Sequence, residues 1–325
     1  RLTGGLCEQD RAFIFERNQK LQQLQEHKED LSSLPCLKST DLQKQAKIID
    51  FLNYHQDGHP KMWVRQTTST NGISFFKTIL PISNITKEDL RLLPLLCQSL
   101  TELGIEGVEI EAFDQKVKMY TGGLQSSFFV GRHPWGLNDL PEISLSIGSY
   151  SLDRNVGKAL NLLADALSKT DFNNLAKLRS IISSSASTLS NSIASSGHMF
   201  AMTKAASGLS IKGHLDEISI GLYQSEVLNQ LAAQEDLGEL SLKLKLLARK
   251  IFSSAPNSWR TAFVTQDASL VERMDEFHRG LAYRQNSSGV DLKINLEVPP
   301  SLIKMPFATS YAAKVFQFNP YSLKQ

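Results

Sequence analysis

Asn71-Gly72 stands between two runs rich in β-branched and aromatic residues, Lys61–Thr70 and Ile73–Leu80. Asn and Gly accept positive φ at the centre of a tight turn, so the dipeptide is the strongest short-range hairpin signal a sequence carries. It predicts an antiparallel strand pair, and with it a sheet. The rest of the chain must then supply the layer that buries one face of that sheet.

The flanking patterns supply such a layer. After Pro81, Thr86 is placed to cap a helix whose first turn holds Glu88 and Asp89, acids favoured by the helix dipole. Its apolar face runs Leu90, Leu93, Leu96, Cys97, Leu100 and Leu103, and Gly104 stops it. Val108–Tyr120 reads as a second helix, closed by Gly122-Gly123. Leu124–Gly131 and Ile143–Leu152 follow as strands. From Asp153 the chain is almost wholly helical. Leu160, Leu163 and Leu167 mark one helix, and Phe172, Leu175, Leu178, Ile182, Ala186, Leu189 and Ile193 mark another. The second contains a serine-rich run, 180–196, whose composition suggests a linker. The apolar positions keep helical period throughout it, and period outweighs composition. Further helices are expected over Gly213–Ala233 and Asp236–Ser254, then a strand at Arg260–Gln266 and a helix at Ser269–Leu281.

Both ends read differently. Arg11–Ser33 is polar and helix-favouring, with a thin seam of Ile14, Leu21, Leu24 and Leu31 suited to one neighbouring helix. Pro35 ends it, and a short helical stretch, Asp41–Asn53, follows. Beyond the Asn286–Gly289 loop, Val290–Val298 alternates as a strand and Leu302–Phe307 looks like another. This pattern predicts an α+β fold, a mainly antiparallel sheet packed on a helical layer and preceded by a long linker helix. The expected division is 1–58, 59–285 and 286–325.

The balance of 35 basic against 33 acidic residues gives a net charge of +2. No concentrated positive field is present for nucleic acid or anionic lipid. No apolar stretch approaches the roughly 20 residues of a membrane span. Arg1–Asp10 lacks the layout of a signal peptide and opens as though in mid-protein. Cys7, Cys36 and Cys97 are odd in number and irregular in spacing. They favour a soluble, reducing compartment over a disulfide framework, with Cys97 a small core hydrophobe.

Each tempting site has a plainer reading. His55-Gln-Asp-Gly-His59 contains Gly58 and precedes Pro60, so it does not form the regular helix that would aim two His at one metal. His198, after Gly197, and His214 with Asp216 stand near helix starts without a ligand set, and read as packed histidines. Glu106, Glu109 and Glu111 suit a solvated helix start better than acid/base partners. Ser196-Gly197-His198 is too close in sequence for a triad, and no Gly-x-Ser-x-Gly elbow is present. Gly122-Gly123 lacks the continuation of a phosphate loop. Phe128, Phe129 and Trp135 have no interleaved cations and read as core and loop anchors. No catalytic, cofactor-binding or metal-ligating residue is assigned.

Several stretches nevertheless carry a resemblance. Thr70-Asn-Gly-Ile-Ser-Phe-Phe76, Leu93–Gly104, Tyr120-Thr-Gly-Gly-Leu124 and Asn191–Ala201 with Ala205–Ser207 resemble, in order and spacing, the third domain of pitrilysin-type zinc metallopeptidases of the presequence-protease branch. Arg11–Leu42 resembles the end of the helical hairpin that joins the two halves of such enzymes. The likeness spans about residues 10–280.

The resemblance implies homologous α+β domains arranged as two halves around a chamber that degrades unfolded peptides. It implies zinc in the N-terminal half, on an inverted H-x-x-E-H helix, with no cofactor in this chain. The partners it implies are that zinc-bearing half and peptide substrates, without nucleic acid or membrane. The chain stops near Met305–Tyr311, just inside the fourth domain, so the Arg and Tyr by which that domain binds substrate have no position here. Alone, the chain is expected to be inactive. The alternative is a stand-alone structural or peptide-binding protein of the same fold. An upstream domain carrying the zinc motif in the gene would separate the two.

Overall fold

The computed structural model describes residues 7–27, 34–42, 44, 48–54, 60–82, 85–132, 141–252, 259–281, 303 and 309–316. They fall in two compact units, Arg1–Ile49 and Asp50–Gln325. In the first, helix α1 spans Glu8–Glu26 and buries none of its residues. It begins before the expected start and ends at Glu26, while Leu31 of the predicted seam lies outside the described residues. Further along, Ser39–Asp41 is a single 3₁₀ turn.

The second unit is built on a six-stranded sheet of order β1-β2-β6-β3-β5-β4. The strands are β1 (Leu52–Tyr54), β2 (Lys61–Gln66), β3 (Ile73–Pro81), β4 (Leu124–Arg132), β5 (Pro141–Leu152) and β6 (Arg260–Thr265). Among these strands only β2 and β6 run parallel; every other pairing is antiparallel. The α+β class and the mainly antiparallel sheet are as the sequence predicts.

The hairpin is not. β2 and β3 do not pair, because β6 lies between them, with Phe263 opposite Val64 on one side and Phe76 on the other. The turn residues still behave as their chemistry demands, since Asn71 and Gly72 take φ of 51° and 76°. The connection, however, includes a 3₁₀ turn at Thr68–Thr70 that spreads the strands. They end two strand spacings apart, about 10 Å, rather than one.

A second correction falls at the first edge. The predicted helix Asp41–Asn53 is absent among the described residues, and Leu52–Tyr54 is instead edge strand β1, in register with Met62–Val64.

Buried hydroxyls fix β6 in place. Ser74 Oγ donates to Asp153 Oδ1 at 2.6 Å and lies 2.8 Å from Thr265 Oγ1. Thr78 Oγ1 is 2.9 Å from Thr261 Oγ1, which is 2.8 Å from His278 Nε2. At the turn, Gln266 Oε1 accepts from the Gly72 N–H at 3.1 Å. Trp259 and Phe263 are fully buried, so β6 and the residue before it bring the two largest side chains of the core interior.

The helices are α2 (Lys87–Glu102), α3 (Ile110–Tyr120), α4 (Val156–Ser168), α5 (Leu175–Ser195), α6 (Gly197–Ala206), α7 (Ile211–Ile220), α8 (Leu222–Ala232), α9 (Gly238–Phe252) and α10 (Val271–Leu281). α4 lies on β5, α2 and α7 on β4, and α10 on α4. Thr86 caps α2 as expected, accepting from the Asp89 N–H at 3.1 Å, while Asp89 returns the bond at 2.9 Å. The serine-rich run is helix α5, burying Leu178, Ile181, Ile182, Ala186 and Ile193 while its serines face outward.

The single helix expected over Gly213–Ala233 is two. It breaks at Gly221, where Glu217 folds back so closely that an added Cβ would stand 2.1 Å from its Oε2. The strands expected at Val290–Val298 and Leu302–Phe307, and the Asn286–Gly289 loop, lie outside the described residues.

Thr261→Val keeps the shape of the side chain but leaves Thr78 and His278 without this partner in a buried site. It should cost about 1–3 kcal/mol of stability, read as a lower urea midpoint with an unchanged slope.

Candidate functional site

Strand alternation divides the sheet into two faces. On one, Val64, Phe76, Leu80, Leu145, Ile147 and Phe263 are buried under the helices. On the other, the large side chains stay open: Phe75 is 44% exposed, Tyr150 37%, Leu152 42% and Phe129 43%. This one-sided burial is the feature that singles out a candidate site.

The exposed residues form a surface by register. Phe75 stands opposite Tyr150 and opposite Val264, and Ile73 opposite Leu152. The Phe75 and Tyr150 rings stack with centroids 5.6 Å apart and an interplanar angle of 22°. Two glycines let the aromatics lie against backbone. A Cβ on Gly122 would be 1.9 Å from Tyr150 Cε2, and one on Gly131 would be 2.3 Å from Phe129 Cζ. Lys77 follows Phe75 on the same face, and Arg65 pairs with Val264. Neither joins an ion pair among the described residues.

The far end of this face is closed. Ser144 and Ser146 are buried, and Arg260 reaches across β3 to Glu142 as a two-pronged pair, Nη1 to Oε2 at 2.8 Å, with both side chains 11% exposed. Such a planar fork recognises a carboxylate with fixed geometry.

The sequence candidates scatter. His55 and His59 lie outside the described residues, as does Trp135. His198 opens α6 and packs against Tyr311, ring centroids 6.2 Å apart. The ring of Tyr311 fills the space above Gly197, where a Cβ would come within 2.5 Å of it. Ser196 joins α5 to α6.

His214 lies on α7, where burial and then the charges of Lys87 and Lys204 push its pKa down. Two cations beside a histidine repel a divalent metal as they repel a proton. Asp216 pairs with Lys212 at 2.5 Å, and Glu106 with Lys245 at 3.1 Å. Glu109 and Glu111 cap and begin α3, so the three glutamates do share a helix start, with Glu106 tied elsewhere. Phe128 faces the core, whereas Phe129 faces out. Cys7 and Cys36 are exposed, and burial pushes the Cys97 thiol up to about 12. Among the described residues, no group of three or more His, Cys, Asp or Glu could hold a metal ion. The residues described therefore do not fit a zinc site.

Glu217 is the most perturbed acid that sequence reading missed. It is 4% exposed, accepts from the Tyr223 N–H at 3.1 Å and lies 3.5 Å from Lys204 Nζ. Burial raises its pKa from 4.5 in spite of these partners. It joins α7 to α8 and stands apart from any nucleophile or second acid among the described residues, so it is read as a structural cap. Two adjoining clefts of about 330 and 560 Å³ meet nearby at Pro94, Gln98, Ser219 and Ile220. Their linings are mainly hydroxyl, carboxamide and aliphatic groups, with Glu102 the one acid among them.

A fold of this kind, with helices on one sheet face and no metal cluster among the described residues, defines a non-catalytic α+β domain. The sequence profile of the family "peptidase M16, subfamily C, associated" matches residues 1–231. The chain belongs to that family. It is 31% identical over 326 residues to the mitochondrial presequence protease of Yarrowia lipolytica, covering 98% of this chain and 32% of that protein. It is likewise 31% identical over 258 residues to the mitochondrial presequence protease of Danio rerio, covering 79% of this chain and 25% of that one. The chain thus spans about a third of the length of the first of these relatives, and a quarter of the second. Its fold is similar to that of pitrilysin, with a TM-score of 0.50 at 12% identity, over 75% of this chain and 24% of that one. The resemblance drawn from the sequence motifs is correct. Among the described residues, no helix is long and apolar enough to cross a membrane.

The raised pKa of Glu217 makes a signed prediction. A carboxyl that holds its proton more tightly when folded loses stability as pH rises through 4.5 towards the folded value. Glu217→Gln removes that loss. The melting temperature of the variant relative to the parent should be more favourable at pH 7 than at pH 4, and a constant difference across that range would contradict the assignment. Separately, elemental analysis after dialysis against trace zinc should find far less than about one zinc per chain, since three or four placed ligands are required.

Proposed function

We propose that this chain is the non-catalytic half of a zinc-dependent metalloendopeptidase that degrades unfolded peptides. In this reading it supplies chamber wall and substrate contacts, while an N-terminal half of the same polypeptide carries the zinc and the cleavage chemistry. Residues 1–58 are the remnant of the linker hairpin, 59–285 the third domain and 286–325 the start of the fourth. The observation that carries the reading is the sheet with helices on one face and aromatic, aliphatic and basic side chains open on the other. A large exposed apolar patch on a folded domain marks a surface that meets something else.

The family and the coverage of about a third of a presequence protease support the larger assignment. Metal-assisted hydrolysis needs a metal-bound water and a base, which the zinc-bearing half would contribute. The residues of this chain would hold the peptide in place, and ordering a flexible peptide beside a reacting group is itself a large part of catalysis. The mitochondrial location named for the relatives is proposed for the parent of this chain too, in a soluble, reducing matrix.

A quenched fluorescent peptide of about 20–30 residues, a size suited to a closed cavity, tests the division of labour. The chain alone should bind it saturably and cleave it only at background. Cleavage should appear on adding a separately produced zinc-bearing half. Chelator-sensitive turnover by the chain alone, or no binding of any unfolded peptide, would overturn the reading.

A further inference from the structure

We infer that the end of the open sheet face built by Phe75 and Tyr150 is a side-chain-reading subsite for an extended peptide, selecting an aromatic or long aliphatic residue next to an acidic one. The inference rests on the reading that this face meets peptide, and deepens it by naming what is read.

Three observations carry it. First, the apolar surface is continuous: Ile73, Phe75, Tyr150, Leu152 and Val264 adjoin by strand register across β6, β3 and β5. Second, the platform is pre-formed. The stacked rings are 5.6 Å apart, and Tyr150 occupies the space that any side chain at Gly122 would need. A ring held by backbone on one side and by a second ring on another loses little freedom when a ligand lands on it. Third, the charge beside it is of one sign. Lys77 is two residues from Phe75 on the same strand face, and Arg65 lies two strands away opposite Val264, about 10 Å from Phe75. No carboxylate answers either among the described residues.

That charge decides the occupant. A second copy of the chain pairing through this face would bring Lys77 and Arg65 towards their own counterparts, and like charges oppose such a contact. A peptide carrying a carboxylate beside its apolar side chain meets both the platform and the cations. Aromatic rings with cations could also stack bases, but two separated cations make no track for a phosphate backbone.

The test is fluorescence anisotropy of the full 325-residue chain with labelled unstructured peptides of about ten residues, a length able to span one sheet face. Their centres are Asp-Phe-Glu, Lys-Phe-Lys and Asp-Ser-Glu, and a single-stranded dT oligomer serves as a further probe. The Asp-Phe-Glu peptide should bind about tenfold more tightly than either of the others. Phe75→Thr, which keeps a β-favouring residue, should remove that advantage. Lys77→Glu, at an exposed position that leaves the core untouched, should reverse the preference between the acidic and basic peptides.

If no unfolded peptide binds at all, the wider proposal fails and this one with it. If peptides bind alike whatever their centres, or Lys77→Glu leaves the preference unchanged, only the subsite is overturned. Preference for the dT oligomer over every peptide would overturn it as well.

Discussion

The structure depends on strand β6 being seated between β2 and β3. Without it the sheet divides in two, β1 with β2 on one side and β3, β5 and β4 on the other. Its seat is a row of buried hydroxyls, Thr265 against Ser74 and Thr261 against Thr78, closed by His278 from α10. Buried polar groups bind strongly only when all find partners, so this row specifies one register and penalises every other. A strand slipped by one residue would put Ala262 and Val264 under the helices and turn Phe263 outward. The helical layer, the one-sided burial and the open face all follow from that register.

Much of this architecture was legible in the sequence, and the failures have a common cause. Helical period was reliable even through the serines of α5, because Leu178, Ile182, Ala186 and Ile193 are spaced for one buried stripe. The Asn71-Gly72 signal was locally right and topologically wrong. Both residues adopt the positive φ that their chemistry allows, yet what separates the strands they join is a segment far along the chain. No local pattern contains that information. The break at Gly221 was missed for a similar reason. It depends on Glu217 turning back to cap α8, a contact that apolar spacing does not record.

The site was less legible than the fold. Histidines and acids attracted scrutiny because their chemistry is conspicuous, but the structure ties most of them to local partners, with His198 on Tyr311, Asp216 on Lys212 and Glu106 on Lys245. Phe75 and Tyr150 drew none, since an aromatic in a strand ordinarily belongs to a core. The available signal was alternation. In β3, Phe76, Thr78 and Leu80 alternate with Phe75, Lys77 and Ile79, and Lys77 cannot be buried unpaired. The face carrying Lys77 is therefore the outer one, and Phe75 shares it.

The position of β6 also has a consequence for the order of events during synthesis. Residues of β2 leave the ribosome well before those of β6, with 194 residues between Gln66 and Arg260. At roughly 5–20 residues per second, that interval lasts on the order of 10–40 s. Throughout it, β2 and the facing edge of β3 present unsatisfied peptide groups, and the buried side of the sheet lacks Phe263. The chain must pass through a stage with two open strand edges that attract any other extended segment. A nascent polypeptide of this kind is a natural client for chaperones that mask such edges. Its folding is timed by the arrival of one short strand.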